Sequence, residues 1–176
     1  MLFRSTQVSA VVPYEVAQFA NVNVTVKFGG QTSAAVAATV TTTAPGVFTL
    51  NSSGTGPGAI LNQNLSVNAP NNAAARGETV VIYLTGEGQT APLGVTGKVT
   101  TVSATPPLTP APLLPVAVLI GGQPASISFV GQAPGLVSGV LQINAVVPQT
   151  AGTGAVSLTV SVGNNTSQNG VTISLK

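Results

Sequence analysis

Seven residues near one end of the chain, Gln7 to Pro13 (QVSAVVP), return as Gln142 to Pro148 (QINAVVP). The segments downstream of the two copies match as well: Val24 to Ser33 (VTVKFGGQTS) aligns with Leu158 to Ser167 (LTVSVGNNTS), which sets Gly29 against Gly163 and Ser33 against Ser167. Between the two blocks the register changes by one residue, as a loop insertion would make it. Any fold of this chain must therefore accommodate the same strand-forming pattern twice.

The pattern is that of strands. Val22, Val24, Val26 and Phe28 alternate with Asn23, Thr25 and Lys27, so one face of an extended segment is apolar and the other polar. The same reading along the chain predicts strands at Val8 to Val12, Val22 to Phe28, Ser33 to Thr41, Val47 to Leu50, Ala59 to Leu61, Thr79 to Thr85 and Val95 to Val102. It continues with Val116 to Ile120, Ala125 to Val130, Val140 to Val146, Val156 to Val162 and Gly170 to Leu175. Gly29-Gly30, Gly121-Gly122 and Gly163-Asn164 supply residues that tolerate positive φ, so Phe28/Gln31 and Ile120/Gln123 should flank two-residue hairpin turns. Only Asn72 to Ala75 has any helical character. Short strands, frequent glycine turns and one wet face point to an all-β chain of immunoglobulin-like β-sandwiches.

The repeat is incomplete at its first occurrence. Taking the C-terminal copy as the pattern, residues 44–176 make a complete immunoglobulin-like unit, whereas residues 1–43 hold only the C-terminal half of one. Three strands with one apolar face cannot bury that face alone. The expected architecture is thus a tandem of sandwiches, the first incomplete at its N-terminal side. Its candidate assembly face is Val8, Val11, Val22, Val24, Val26 and Phe28, to be covered by a neighbouring copy or by the rest of a longer chain, in which case Met1 would be an internal residue.

Composition then removes whole classes of chemistry. The chain has no His, Cys, Trp or Asp, and its acids are Glu15, Glu78 and Glu87. A catalytic triad, a thiol nucleophile, a zinc centre and an Asp-built calcium loop lack their ingredients, so no enzyme, no metal and no cofactor are expected. Glu78 and Glu87, nine apart and separated by a turn, do not form a glycosidase pair. Five scattered basic residues give a net charge of +2 without a patch, which argues against nucleic acid as a partner. No membrane insertion is expected either: no apolar run succeeds Arg4, and Leu113 to Ile120 contains a proline and is far below the roughly 20 residues of a spanning helix.

Several motifs occur in a fixed order: VPYEVA (12–17), APGVF (44–48), AILNQNLSVN (59–68), AARGETVVIYLTGEGQ (74–89), GGQPASISFVGQAPG (121–135) and QINAVVP (142–148). Together they resemble the C-terminal domain abundant in secreted acidobacterial proteins of the Solibacter type, over essentially the whole chain. The resemblance implies tandem immunoglobulin-like units related to the IPT/TIG group, a secreted or cell-surface location, and no known activity. The half unit that normally precedes LFRSTQ in that pattern is absent here.

The remaining motifs have plain readings beside functional ones. GTGPG (54–58) and GEG (86–88) are turns and not phosphate cradles, since neither opens a helix and Gly97-Lys98 lacks the following Ser or Thr of a P-loop. Arg76-Gly77-Glu78 reads as a brace for the loop before Thr79, by an ion pair. Pro106 to Pro115 reads as a stiff connection. Lys27 or Lys98 in an isopeptide bond would need a buried Lys, Asn and acid, for which acids are too few. The Asn-x-Ser/Thr sequons at Asn23, Asn51, Asn64, Asn164 and Asn165 are those expected of an Asn- and Thr-rich chain. Phe28, Phe48, Tyr83 and Phe129 are assigned to the core; Tyr14 and Phe19 are the candidate surface contacts for a glycan or protein. Two functions are compatible with these residues: a non-catalytic structural or assembly module of an extracellular fibre, and a glycan- or protein-binding adhesion module. With only 5% of residues charged, against about 25% in average soluble proteins, a monomer is weakly protected from association, which favours the first.

Overall fold

The computed structural model describes residues 8–101 and 109–176. Among these residues, seventeen strands succeed a short 3-10 helix, Tyr14–Gln18. They are β1 (Asn21–Val24), β2 (Lys27–Phe28), β3 (Gln31–Thr32), β4 (Val36–Thr39), β5 (Gly46–Val47), β6 (Gly56–Pro57), β7 (Ile60–Leu61), β8 (Thr79–Thr85) and β9 (Thr90–Ala91). Then come β10 (Ala111–Pro112), β11 (Val116–Ile120), β12 (Gln123–Pro124), β13 (Ser126–Gln132), β14 (Leu141–Val146), β15 (Gly154–Val162), β16 (Asn165–Thr166) and β17 (Val171–Leu175). The chain is all-β and of sandwich type.

Two sheets carry the core. One runs β12-β11-β15-β17-β6, with β16 also on β15; the other runs β13-β14-β8-β5, with β7 also on β8. Alternation drives the burial. In β8, Val80, Ile82 and Leu84 are buried; in β14, Leu141, Ile143 and Ala145; in β15, Leu158, Val160 and Val162. All but Val162 belong to one cluster, together with Val118, Ile120, Val171, Ile173 and Leu175 from the first sheet. Each large aliphatic side chain so buried contributes about 1.5–3 kcal/mol.

Polar side chains close what strands leave open. Asn68 accepts the Ser174 N–H at 2.8 Å and donates to the Ser174 carbonyl at 2.9 Å, standing in for a neighbouring strand beside β17. Gln168 does the same for Val47, accepting its N–H at 3.0 Å and donating to its carbonyl at 2.6 Å. Arg76 donates to the Ala151 carbonyl at 2.7 Å and Glu78 accepts the Ala75 N–H at 2.7 Å, so this loop is braced through the backbone and not by the expected ion pair.

The turns stand as anticipated. Phe28 pairs with Gln31 across Gly29 (φ 56°) and Gly30 (φ 80°), and Ile120 pairs with Gln123 across Gly121 (φ 60°) and Gly122 (φ 75°). Other expectations need correction. Val8 to Val12 is not a strand, and Val22 to Phe28 divides into β1 and β2. The described part of Val95 to Val102 is irregular, bridged only at Val99 to Val137, because Gly97 (φ 74°) turns the chain and Lys98 N–H bonds back to the Val95 carbonyl. The helical turn is at Tyr14–Gln18, not at Asn72 to Ala75, whose backbone is tied by bridges. GTGPG contributes β6, which runs parallel to β17, as well as a turn. Of the proline-rich stretch, residues 106–108 lie outside the described residues, and Ala111–Pro112 pairs with Thr90–Ala91.

Candidate functional site

The two copies of the repeat form the same hairpin. In the first, Asn21, Val22, Asn23 and Val24 pair with Thr39, Ala38, Ala37 and Val36. In the second, Ala155, Val156 and Ser157 pair with Ser174, Ile173 and Thr172. Beyond each lies a glycine turn: Lys27 and Phe28 pair with Thr32 and Gln31, and Ser161 and Val162 pair with Thr166 and Asn165. Besides the register change before Val24, a second single-residue insertion falls inside the hairpin, between Ser167 and Val171, matched by Ser33 and Val36.

Their surroundings are opposite. Val160 and Val162 are fully buried, whereas their counterparts Val26 and Phe28 are 50% and 84% exposed. Val24 and Val36 are exposed where Leu158 and Val171 are buried. An opposing sheet and two flanking strands make the difference: in the second copy Leu158, Val160 and Val171 pack in one cluster with Val80, Ile82, Leu84 and Ile143 of the other sheet. In the second copy β11 lies antiparallel on Leu158 to Val162, and β6 flanks β17; in the first, β1-β4 and β2-β3 are two-stranded sheets. The face is therefore uncovered by the described part of residues 44–176.

Of the expected assembly residues, Val22, Val24, Val26 and Phe28 share this hairpin. Val8 and Val11 do not: they precede the 3-10 helix in irregular, exposed backbone. Their counterparts Ile143 and Val146 are in β14, which is paired on both sides by β13 and β8. Extended backbone without partner strands is not held as a strand. Phe28 and Phe48 are exposed, contrary to their assignment to the core, and Tyr83 and Phe129 are half-buried.

The hairpin is fastened at both ends. At its C-terminal end, Thr43 donates from Oγ1 to the Val162 carbonyl at 2.8 Å, and Asn165 Nδ2 donates to the Thr43 carbonyl at 2.8 Å. Gly86, where a Cβ would lie 1.7 Å from the Ala44 oxygen, admits the chain there. At its N-terminal end, Tyr14 is anchored. Its N–H donates to Thr96 Oγ1 at 3.1 Å, its carbonyl accepts from Gln89 Nε2 at 2.9 Å, and its ring lies against Gly94.

The Tyr14 hydroxyl donates to Glu87 Oε1 at 2.5 Å and accepts from Gln132 Nε2 at 2.6 Å. Gln132 Nε2 also donates to Glu87 Oε1 at 3.1 Å, while its own Oε1 accepts from Thr100 and Ser138 hydroxyls. Glu87 Oε2 is buried without a partner among the described residues. Burial pushes the Glu87 carboxyl up from the ordinary range, and the bonds from Tyr14 and Gln132 offset part of that. The Tyr14 hydroxyl is likewise pushed up, by burial first and then by Glu87. Exposed Glu15 is held low by the hydrogen bond from Thr96.

Tyr14 is thus a structural anchor and not an open stacking surface; Phe19 remains exposed. Sequence reasoning missed Glu87 and Gln132, and the one available signal was an acid inside GEG in a chain with three acids. Lys27 and Lys98 are both exposed, away from the buried setting an isopeptide bond requires. Among the described residues no helix is long and apolar enough to cross a membrane. Comparison of the chain with protein-family models, with curated proteins and with solved structures gave no match.

Proposed function

We propose that this chain is a non-catalytic structural or assembly module of an extracellular protein, in which residues 1–43 are half of an immunoglobulin-like unit completed by strands from a neighbouring chain or an upstream segment. One observation carries the reading. A hairpin whose second copy is buried in a sandwich core is presented in its first copy with Val24, Val26, Phe28 and Val36 exposed. Apolar faces and open edges of this kind recruit other polypeptide. The resemblance to the secreted Solibacter-type domain supports the extracellular setting, and the absence of His, Cys and Asp supports a non-catalytic role.

The adhesion reading has less to stand on, because Tyr14 is engaged by Glu87 and Gln132, leaving Phe19 as the exposed aromatic of the two. The test is electron microscopy of native material combined with hydrogen exchange. Elongated particles in which the amides of residues 21–39 exchange slowly are expected. Single particles with a freely exchanging hairpin would overturn the proposal.

A further inference from the structure

The backbone of the exposed hairpin has a direction as well as a face. In β15 the Val160 N–H is bonded to Ser167 Oγ and the Val160 carbonyl to the Ser167 N–H, so residue 160 points toward β16. Its neighbours point the other way, toward β11: the Ser157 carbonyl accepts from Gly121, and the Gly163 N–H bonds to the Pro115 carbonyl. The first copy repeats this. Val26 exchanges bonds with Ser33, and by alternation the N–H groups of Thr25, Lys27 and Gly29 point outward, where no partner strand lies among the described residues.

Resting on the assembly reading above, we infer that the free edge of Val24 to Phe28 seats an antiparallel strand of alternating apolar character, of the same kind as β11 and in the register β11 adopts on β15. In that register Val116, Val118 and Ile120 oppose Val162, Val160 and Leu158. The occupant's corresponding positions oppose Phe28, Val26 and Val24. The position of Ala117, which opposes Ser161, falls opposite Lys27, so an acidic residue there adds a cross-strand charge pair.

The donor is not β11 of a second folded copy. That strand is bonded along its whole length to β15 and at its Leu119–Ile120 end to β12, with Val118 and Ile120 in the core cluster, so it leaves its own core only if the sandwich opens. The edge therefore takes a strand that lacks partners of its own, with an apolar run ending in a glycine turn, adding to the sheet by β-augmentation.

A peptide of residues 113–124 (LLPVAVLIGGQP) serves as the probe, added to the full chain, with amide exchange monitored residue by residue. At saturation the amides of Thr25, Lys27 and Gly29 should slow at least about tenfold. A Val118→Asp peptide and a scrambled peptide should have no effect, and an Ala117→Glu peptide should bind more tightly, a gain that salt abolishes. All changes are in the peptide, so no variant of the chain has to fold. Unchanged exchange at these amides, or equal slowing by the scrambled peptide, overturns the inference. If native material still forms particles with a protected hairpin, the assembly reading survives that failure; if it does not, both fall.

Discussion

Ser33 and Ser167 hold the same post in two copies of one hairpin: the Oγ of each accepts the N–H of the residue seven positions earlier, Val26 at 3.0 Å and Val160 at 3.1 Å. Ser33 is exposed and Ser167 buried. Ser167→Ala leaves the buried Val160 N–H without its acceptor and should cost about 1–2 kcal/mol. Ser33→Ala, where water replaces the hydroxyl, should cost a few tenths. Denaturant midpoints of the two variants check this, and equal losses would contradict it.

The same contrast applies to apolar side chains. Leu158→Ala removes a buried member of the core cluster and should destabilise by about 2–5 kcal/mol. Val24→Ala, at the equivalent exposed site, should stay within about 0.5 kcal/mol in the isolated chain. In native assemblies Val24→Ala should instead weaken association, read as a shift toward smaller species in sedimentation.

Glycines divide by what a side chain would meet. Gly30 and Gly122 have positive φ with open space around them, so Ala or Val there should cost on the order of 1 kcal/mol through backbone strain. Gly86 combines φ 80° with a Cβ position 1.7 Å from the Ala44 oxygen. Gly86→Ala should therefore cost on the order of 3 kcal/mol, by strain and by displacing the segment that joins the hairpin to the sandwich. Thermal melting ranks the three variants.

Glu87 predicts a pH dependence of definite sign. Its folded carboxyl titrates above the ordinary value near 4.5 because of burial. The stabilising contribution is fully present below the unfolded value and is lost as pH rises through the folded one. Relative to Glu87→Gln, which keeps an acceptor for the Tyr14 hydroxyl and does not ionise, the native chain should gain stability as pH falls from neutrality toward 4.5. For a single proton the slope cannot exceed about 1.4 kcal/mol per pH unit. Glu15 contributes equally to both proteins and cancels. Parallel stability profiles for the two would refute the assignment.

Features that depend on a few adjacent residues were legible in the sequence. The Gly29-Gly30 and Gly121-Gly122 turns come from the tolerance of glycine for positive φ, and β8, β11 and β14 lie within a residue of where alternation puts them. Two copies of one hairpin come from the repeat itself. Features that depend on a distant neighbour were not legible. Tyr14 meets Glu87 and Gln132 across separations of 73 and 118 residues, and no local pattern encodes such a meeting.

The clearest case is the motif at the head of the repeat. Ala10, Val11 and Val12 carry the same letters as Ala145, Val146 and Val147, yet Ala145 and Val146 end a strand bonded to β13 and β8, while the first copy is irregular. The sequence by itself determined the all-β class, the turns and the repeat, because alternation and glycine act through nearest neighbours. Only the tertiary structure decided which copy is buried, because a strand is completed by backbone partners and an opposing sheet that its own residues do not supply.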